Sequence, residues 1–259
     1  MKKPINMVSI ITPAYNVEQF ISAAIQSVIN QTFTNWEMFI VDDASEDNTC
    51  AIIQGFIAID NRIKLLQHSQ NLGAGVARNK GIKKATGNYI AFLDADDVWE
   101  PHKLEAQLVF METHKIAISY SSYELIDEQG NALNKIVEAL PRVTFNKQLK
   151  CNYIGNLTGM YKVGVLGKLY LPKITKRQDW VMWLKAIKKA GEARGIQESL
   201  AKYRIRKDAI SSNKMSLLKH NFNVYRKELK FSMIKSTAYL VLFLLEYFFI
   251  KPKQIKSIL

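Results

Sequence analysis

The chain reads as an α/β protein built on an open, largely parallel sheet flanked by helices and followed by a basic, apolar tail. Three observations carry that reading. Strand-like and helix-like runs alternate over the first hundred residues, the pattern of βαβ units. Carboxylates follow two of the expected strand ends, as Asp42-Asp43 and as Asp94, Asp96 and Asp97. Near residue 215 the composition shifts. From Lys202 to Leu259 there are 13 Lys and Arg against Asp208, Glu228 and Glu246, so this stretch carries +10 of the net +13. The expected division is a domain over residues 1–214 and a helical tail over 215–259.

Residues 7–12 form an apolar strand ended by Pro13, and Pro13-Ala14-Tyr15-Asn16 is a loop, since Pro and Asn favour turns. Phe20, Ile21, Ala24, Ile25 and Val28 then fall at helical spacing. A second strand over 37–41 runs into Asp42 and Asp43. Ser45 or Asp47 stands where the next helix, with Ile52, Ile53, Phe56 and Ile57, would be capped. Residues 63–66 make a third strand. Gly73 and Gly75 introduce a helix that Gly87 closes before the strand 89–93. Beyond Pro101, a helix with Leu104, Leu108 and Met111 leads to a strand near 116–119 and a turn at Asp127-Glu128-Gln129-Gly130. Residues 131–171 mix β-like pieces and loops. A last helix starts near Asp179 and stops at Gly191.

Phe92-Leu93-Asp94-Ala95-Asp96-Asp97 places three carboxylates within four residues. Such density is self-repelling, and a hard divalent cation relieves it because it takes carboxylate oxygens as ligands. Mg²⁺ or Mn²⁺ needs only one or two of them when substrate phosphates complete the shell. Alone, an Asp-x-Asp is more often a solvated turn. Here Thr12 to Tyr15, Asp42-Asp43 and Asp94 to Asp97 all follow strand C-termini, the edge where open α/β sheets bind ligands. Their convergence favours a nucleotide site. Cys50 and Cys151 are too few for a disulfide framework and lack metal-ligand spacing. The N-terminus enters a strand without a signal-peptide pattern, so a cytoplasmic protein is expected. No zinc-finger or RNA-binding signature accompanies the basic tail, and nucleic acid is not an expected partner.

Four motifs in order carry a resemblance: residues 9–16 (Ser-Ile-Ile-Thr-Pro-Ala-Tyr-Asn), 41–45 (Val-Asp-Asp-Ala-Ser), Asn71-Leu72-Gly73 with Gly75 and Ala77-Arg78-Asn79, and Phe92 to Asp97. Over residues 8–213 the chain resembles the inverting, GT-A-fold glycosyltransferases of family 2, which build bacterial surface polysaccharides. The resemblance implies a Rossmann-like GT-A domain, a nucleotide-sugar donor (UDP-linked), and a divalent cation, Mn²⁺ or Mg²⁺. It also implies a polyprenyl-diphosphate-linked glycan as acceptor, in O-antigen, capsule or exopolysaccharide synthesis.

By the same resemblance Thr12, Pro13, Ala14 and Tyr15 line the nucleotide pocket, with Tyr15 near the base. Asp43 accepts from uracil, with Asp42 as its neighbour, and Arg78 lies near the donor. In the Asp94-Ala95-Asp96 run, Asp94 faces the ribose or sugar and Asp96 the metal, Asp94 being the second candidate ligand. Family members place the catalytic base at the start of a late helix, often as Glu-Asp. The matching segment is Arg177-Gln178-Asp179-Trp180, which puts Gln178 first and keeps Asp179 as the base. Tyr203-Arg204-Ile205-Arg206-Lys207 with Ile210-Ser211-Ser212 resembles the segment that covers the diphosphate, Arg204 and Arg206 being its donor-binding cations. The family often has His where Arg206 stands. Trp99, Trp180 and Trp183 are candidates for sugar contact, at least one of them being expected in the core.

The chemistry also stands on its own. Displacing a sugar from a nucleoside diphosphate needs positive charge on the leaving group and a carboxylate base for the acceptor hydroxyl. Two other readings stay open: a nucleotidyltransferase- or kinase-like α/β enzyme, although no Gly-x-x-x-x-Gly-Lys-Ser/Thr loop is present, and a membrane-docked sugar-nucleotide binding or scaffold protein. In the tail, residues 236–250 are almost wholly apolar, broken by Glu246 and bracketed by Lys235 and Lys251. As a helix they reach only ~22 Å, short of a ~30 Å hydrocarbon core. An interfacial helix on an anionic membrane surface is therefore expected, at the inner face of the cell membrane. Lys227, Lys230, Lys235, Lys251, Lys253 and Lys256 would meet lipid, and Glu246 argues against deep burial. A helix packed on the domain or in a homodimer is the alternative.

Overall fold

The computed structural model describes residues 6–206 and 214–258. Its first hundred residues alternate as the sequence predicts: β1 (Val8–Ala14), α1 (Ile21–Ile29), β2 (Trp36–Asp42), α2 (Thr49–Ile59), β3 (Ile63–Gln67), α3 (Ala74–Lys84) and β4 (Tyr89–Phe92). These strands lie parallel in the order β3-β2-β1-β4. Alternation along β1 sends side chains to two cores. Val8 and Ile10 pack with Ile21, Ile25 and Val28 of α1, whereas Ile11 joins Phe39, Ile82 and Phe92 on the other face. Both faces are covered, which is why these strands read as unbroken apolar runs.

The second half is mixed. β5 (Val98–Trp99) and α4 (Lys103–Thr113) precede β6 (Ile118–Ile126), β7 (Ala132–Val137) and β8 (Arg142–Thr144). After α5 (Phe145–Lys150) come β9 (Met160–Lys162), α6 (Val163–Leu166), α7 (Gln178–Ala190) and β10 (Glu192–Arg204). β9 runs antiparallel to both β4 and β6 and so joins the two halves into one sheet. β10 lies parallel to β6 and antiparallel to β5 and β8. α7 buries Trp180, Val181, Trp183, Leu184 and Ile187 in the same core as Phe92.

Several local readings shift. Pro13 does not end its strand, because β4 pairs only with Val8 to Ile11 and leaves that side of β1 without a ladder at Pro13. Gly87 does not close α3, which ends at Lys84. Instead a Cβ there would sit 2.7 Å from the Met7 carbonyl and the Ser9 nitrogen, so only glycine lets the chain pass. The strand expected near 116–119 continues to Ile126, and the 13-residue β10 occupies a stretch for most of which the sequence pattern predicts no strand.

The tail is α8 (Lys214–Asn223), a turn of π-type winding, then α9 (Met233–Leu245). Ser232 caps α9 by accepting from the Lys235 N–H at 3.3 Å. The helical run continues with looser and then tighter winding to Gln254, 22 residues in all. This corrects the length expected from residues 236–250, since 22 residues would reach ~33 Å. One side of the run nevertheless lies on the domain. Phe243 packs on Trp180, Glu246 meets Lys147 and Tyr153, and β11 (Ile255–Ser257) adds antiparallel to the β7 edge. A helix packed on α5 and α8 and tied to β7 through β11 lies along the domain. Glu246, expected to limit lipid burial, faces protein, and the outward side carries Ile234, Val241, Leu245, Phe248 and Phe249.

Candidate active site

Three loops at the C-terminal ends of β1, β2 and β4 meet α3 and α7. Thr12 is fully buried, and its Oγ1 has no hydrogen-bond partner. Tyr15, just past β1, is 44% exposed, which leaves its ring available as a stacking surface. Asn16 adopts a left-handed backbone and ties its loop to the next: its N–H donates to Ser45 Oγ (3.0 Å), and its Oδ1 accepts from the Glu46 N–H (2.9 Å). Ser45 is thereby used in loop bracing, and Asp47 accepts the Thr49 N–H at the start of α2.

Asp42 and Asp43 are both buried. Asp42 accepts from the Ser45 N–H. Asp43 Oδ1 faces His68 Nδ1 (2.7 Å) and accepts from the Leu72 N–H (3.0 Å), and Oδ2 accepts from the Gly73 N–H (2.6 Å). A carboxylate has about four acceptor positions, so one remains on Oδ2. Gly73, at φ +89°, takes a conformation costly for other residues, and it delivers the chain into α3.

Arg78 on α3 donates to Asp94 Oδ1 at 2.5 Å. Burial works against its charge. Asp94, then Asp179 and Asp96, more than restore it and hold the guanidinium above its ordinary pKa. Asp96 Oδ2 accepts from Arg206 at 3.2 Å, and burial with the Asp94 charge pushes the Asp96 carboxyl up. Asp97 is buried, and its pKa is raised well above the carboxylate range by burial and then by Asp96 and Asp94. Its Oδ1 accepts the Arg204 N–H (2.9 Å), and Oδ2 is unpartnered.

The two arginines have different tasks. Arg204, expected at the donor, spends its side chain on the Asp96, Asp127 and Glu128 carbonyls (2.8, 3.1 and 2.9 Å) and is only 7% exposed. It braces the acidic loop. Arg206 is the one whose guanidinium reaches a carboxylate of the cluster, lying 4.9 Å from the Phe20 ring centroid. Lys207 and 210–212 fall outside the described residues. Asp179 sits in the first turn of α7, after Arg177 in left-handed conformation, and its Oδ2 accepts from Asn152 Nδ2 at 2.7 Å. α3 comes close enough that a Cβ on Gly75 would lie 2.5 Å from the Gln178 side chain. Trp99, Trp180 and Trp183 are all core, at most 2% exposed, which corrects their candidacy for sugar contact. Trp99 and Trp180 donate to the Leu157 and Gln148 carbonyls, both at 2.7 Å.

The profile of Glycosyl transferase family 2 matches residues 9–165, which hold β1 through β9 and every part of this site except α7 and the end of β10. The chain belongs to that family. Among its relatives, the putative teichuronic acid biosynthesis glycosyltransferase TuaG of Bacillus subtilis is 42% identical over 231 residues, 89% of this chain and 92% of TuaG. The Escherichia coli UDP-Glc:alpha-D-GlcNAc-diphosphoundecaprenol beta-1,3-glucosyltransferase WfgD is 41% identical over 219 residues, 84% of this chain and 85% of WfgD. The S. aureus TarS 1–349 crystal structure with UDP-GlcNAc superposes with a TM-score of 0.72 at 21% identity, covering 93% of this chain and 73% of that one. The Pyrobaculum calidifontis mannosyltransferase PcManGT, crystallised with GDP-Man and Mn²⁺, gives 0.69 at 17% identity, covering 95% and 71%. The fold is therefore GT-A, and this family 2 chain is a glycosyltransferase.

Its acidic cluster fits a cation. Asp94, Asp96, Asp97 and Asp179 outnumber the three neighbouring arginines, and burial and mutual repulsion raise the Asp96 and Asp97 carboxyls. Among the described residues no three His, Cys, Asp or Glu side chains are grouped to hold a metal by themselves. A Mg²⁺ or Mn²⁺ site completed by ligand phosphates does not need three. Sequence reasoning missed His68, Asn152 and Gln148. His68 lies three residues before Asn71 of the third motif, which is a signal in the sequence; the other two sit in 131–171, where β-like pieces and loops mix without a clear period.

Proposed function

We propose that this enzyme transfers a hexosyl group from a UDP-sugar, with inversion, to a hydroxyl of a polyprenyl-diphosphate-linked glycan in O-antigen, capsule or exopolysaccharide synthesis. The observation that carries the reading is the meeting of Arg78, Asp94, Asp96 and Asp179 from three separate elements. The naming of WfgD as acting on GlcNAc-diphosphoundecaprenol and the UDP-GlcNAc complex of TarS support the acceptor and donor classes.

In this mechanism Thr12, Pro13, Ala14 and Tyr15 wall the nucleotide, and the remaining Oδ2 position of Asp43 accepts from the base, beside Asp42. Arg78 orients Asp94 toward the ribose or sugar, with Ala95 keeping the turn between the two carboxylates. Asp96, with Asp94 as the second candidate, would hold a divalent cation, which when bound would supply Lewis-acid stabilisation of the departing diphosphate. Arg206 leaves Asp96 to meet phosphate. Asp179 takes the proton of the acceptor hydroxyl, and a single displacement inverts the anomeric centre.

The protein works at the inner, cytoplasmic face of the membrane through the outward side of α9. The helical run that continues from α9 bonds next to the base, since Lys251 Nζ donates to the Asn152 carbonyl at 2.5 Å and Asn152 holds Asp179. A docked helix would thus bring the base toward a lipid-borne acceptor. The test is release of UDP from a panel of UDP-sugars when a diphosphate-linked GlcNAc lipid and Mn²⁺ are supplied, with the product's anomeric configuration read by NMR. Asp179→Asn preserves size and is expected to lower kcat by about 10²–10⁴-fold with donor affinity unchanged. Normal turnover in that variant would remove Asp179 from the chemistry. Donor binding with no acceptor-dependent UDP release would favour a scaffold.

A further inference from the structure

We propose that Asn152 is a positioning residue for Asp179, and that the C-terminal helix is part of the active-site scaffold because Lys251 holds Asn152 from behind. The inference rests on Asp179 being the base. It starts from the direction of a hydrogen-bond chain. The Tyr153 backbone N–H can only donate, and it donates to Gln148 Oε1 at 3.1 Å. The other end of that amide is therefore Nε2, which donates to Asn152 Oδ1 at 2.7 Å. The Asn152 end facing Asp179 is then necessarily Nδ2, a donor, at 2.7 Å from Oδ2. A chain anchored on a backbone N–H thus aims a donor at one carboxylate oxygen. Asp179 accepts on Oδ2, and Oδ1 is the oxygen left to take the acceptor's proton.

The chain is rigid at its root. Gln148 is fully buried on α5, and its carbonyl accepts from Trp180 Nε1 at 2.7 Å, one residue beyond the base. Asn152 itself follows the end of α5, where backbone hydrogen bonds within the helix no longer fix it. The restraint there comes from the tail: Lys251 Nζ donates to the Asn152 carbonyl at 2.5 Å, and Glu246 accepts from Lys147 and Tyr153 on either side. The 151–153 segment is thereby pinned between α7 and the tail, with Asn152 carrying the contact to each.

The experiment is a double-mutant cycle on kcat in the full chain. Asn152→Ala is expected to lower kcat between about tenfold and a hundredfold, the cost of a misplaced catalytic group, with KM for the donor unchanged. Lys251→Ala is expected to lower it about two- to tenfold, one hydrogen bond's worth. In an Asp179→Asn background both losses should vanish, because the group they position is gone. If Asp179→Asn turns over normally, the base assignment fails. If Asp179→Asn is crippled yet Asn152→Ala costs the same in both backgrounds, or costs nothing in either, Asn152 does not act through Asp179 and the proposal is overturned. Melting temperatures identify any variant that fails to fold, and Lys251→Ala, at the edge of the network, keeps the cycle readable if Asn152→Ala does so.

Discussion

The outward face of the tail makes a quantitative prediction. Ile234 is 85% exposed and Phe249 66%, so together they leave about one and a half whole side chains in solvent. Burying an apolar side chain of this size contributes about 1.5–3 kcal/mol. Replacing both, Ile234→Ser with Phe249→Ser, should therefore remove roughly 2–4 kcal/mol from partitioning into a headgroup boundary, a loss of about 30-fold or more. The assay is co-sedimentation with vesicles containing anionic lipid, at low and high salt. Wild-type binding should weaken with salt, because each lysine near such a surface contributes only about 1 kcal/mol through a screened field. Both substituted side chains point away from the domain, so the melting temperature should not move. Unchanged vesicle binding by the double variant, or a wild type that ignores anionic vesicles, would refute the reasoning. Deleting residues 231–259 is a poorer probe, since it strips Phe231, Tyr239 and Phe243 from the rings of Tyr225 and Trp180.

Other outcomes follow from single residues. Asp96→Ala is expected to abolish Mn²⁺- or Mg²⁺-dependent transfer with the fold intact, and wild-type turnover by this variant in chelator would remove the cation role. Asp43→Ala should weaken UDP and UDP-sugar alike in titration calorimetry; it also takes the acceptor from the Leu72 N–H and leaves the Gly73 N–H only its longer bond to Asn71 Oδ1, so melting should fall by the equivalent of about 1–3 kcal/mol. If only the sugar-bearing ligand weakened, the base contact would be wrong. Glu246 ends up below its ordinary pKa of 4.5: burial opposes its charge, and Lys147 and Tyr153 outweigh that. A depressed carboxyl contributes stability above its unfolded pKa and loses it as pH falls through the folded one. Denaturant midpoints should thus drop less between pH 7 and pH 3 in Glu246→Gln than in wild type, and equal drops would deny that Lys147 and Tyr153 stabilise its charge.

The parallel half was legible because burial on both faces writes continuous apolar runs, and because each strand end hands over to polar residues. β10 was not. Its sequence, Glu-Ala-Arg-Gly-Ile-Gln-Glu-Ser-Leu-Ala-Lys-Tyr-Arg, carries charges along a half-exposed strand, and its buried positions include small residues such as Ala193 and Gly195. At Gly195 a Cβ would lie 2.3 Å from the Leu140 carbonyl, a constraint that only tertiary contact creates. The motif carboxylates could be read off one by one, whereas Arg204 could not be told from Arg206, since the bracing carbonyls come from a turn over 70 residues away in sequence. In the tail, Ser236, Phe243 and Glu246 mark an inward face at helical spacing, but a run apolar all round hides which side is which.

β11 has one more consequence, and it concerns time. It is synthesised after every other element described, yet it covers the open edge of β7, and Lys251 just before it restrains Asn152. While the chain is still emerging, the β7 edge has no partner on that side and presents free N–H and C=O groups to any neighbouring strand. Such transient edges are where nascent chains go astray. The helix that carries Asp179 is likewise laid down long before the Lys251 contact arrives. Maturation of this enzyme is therefore expected to wait on the turns that lead into β11. A bulky fusion joined directly after residue 257 should slow the appearance of activity more than the appearance of helical and sheet signal.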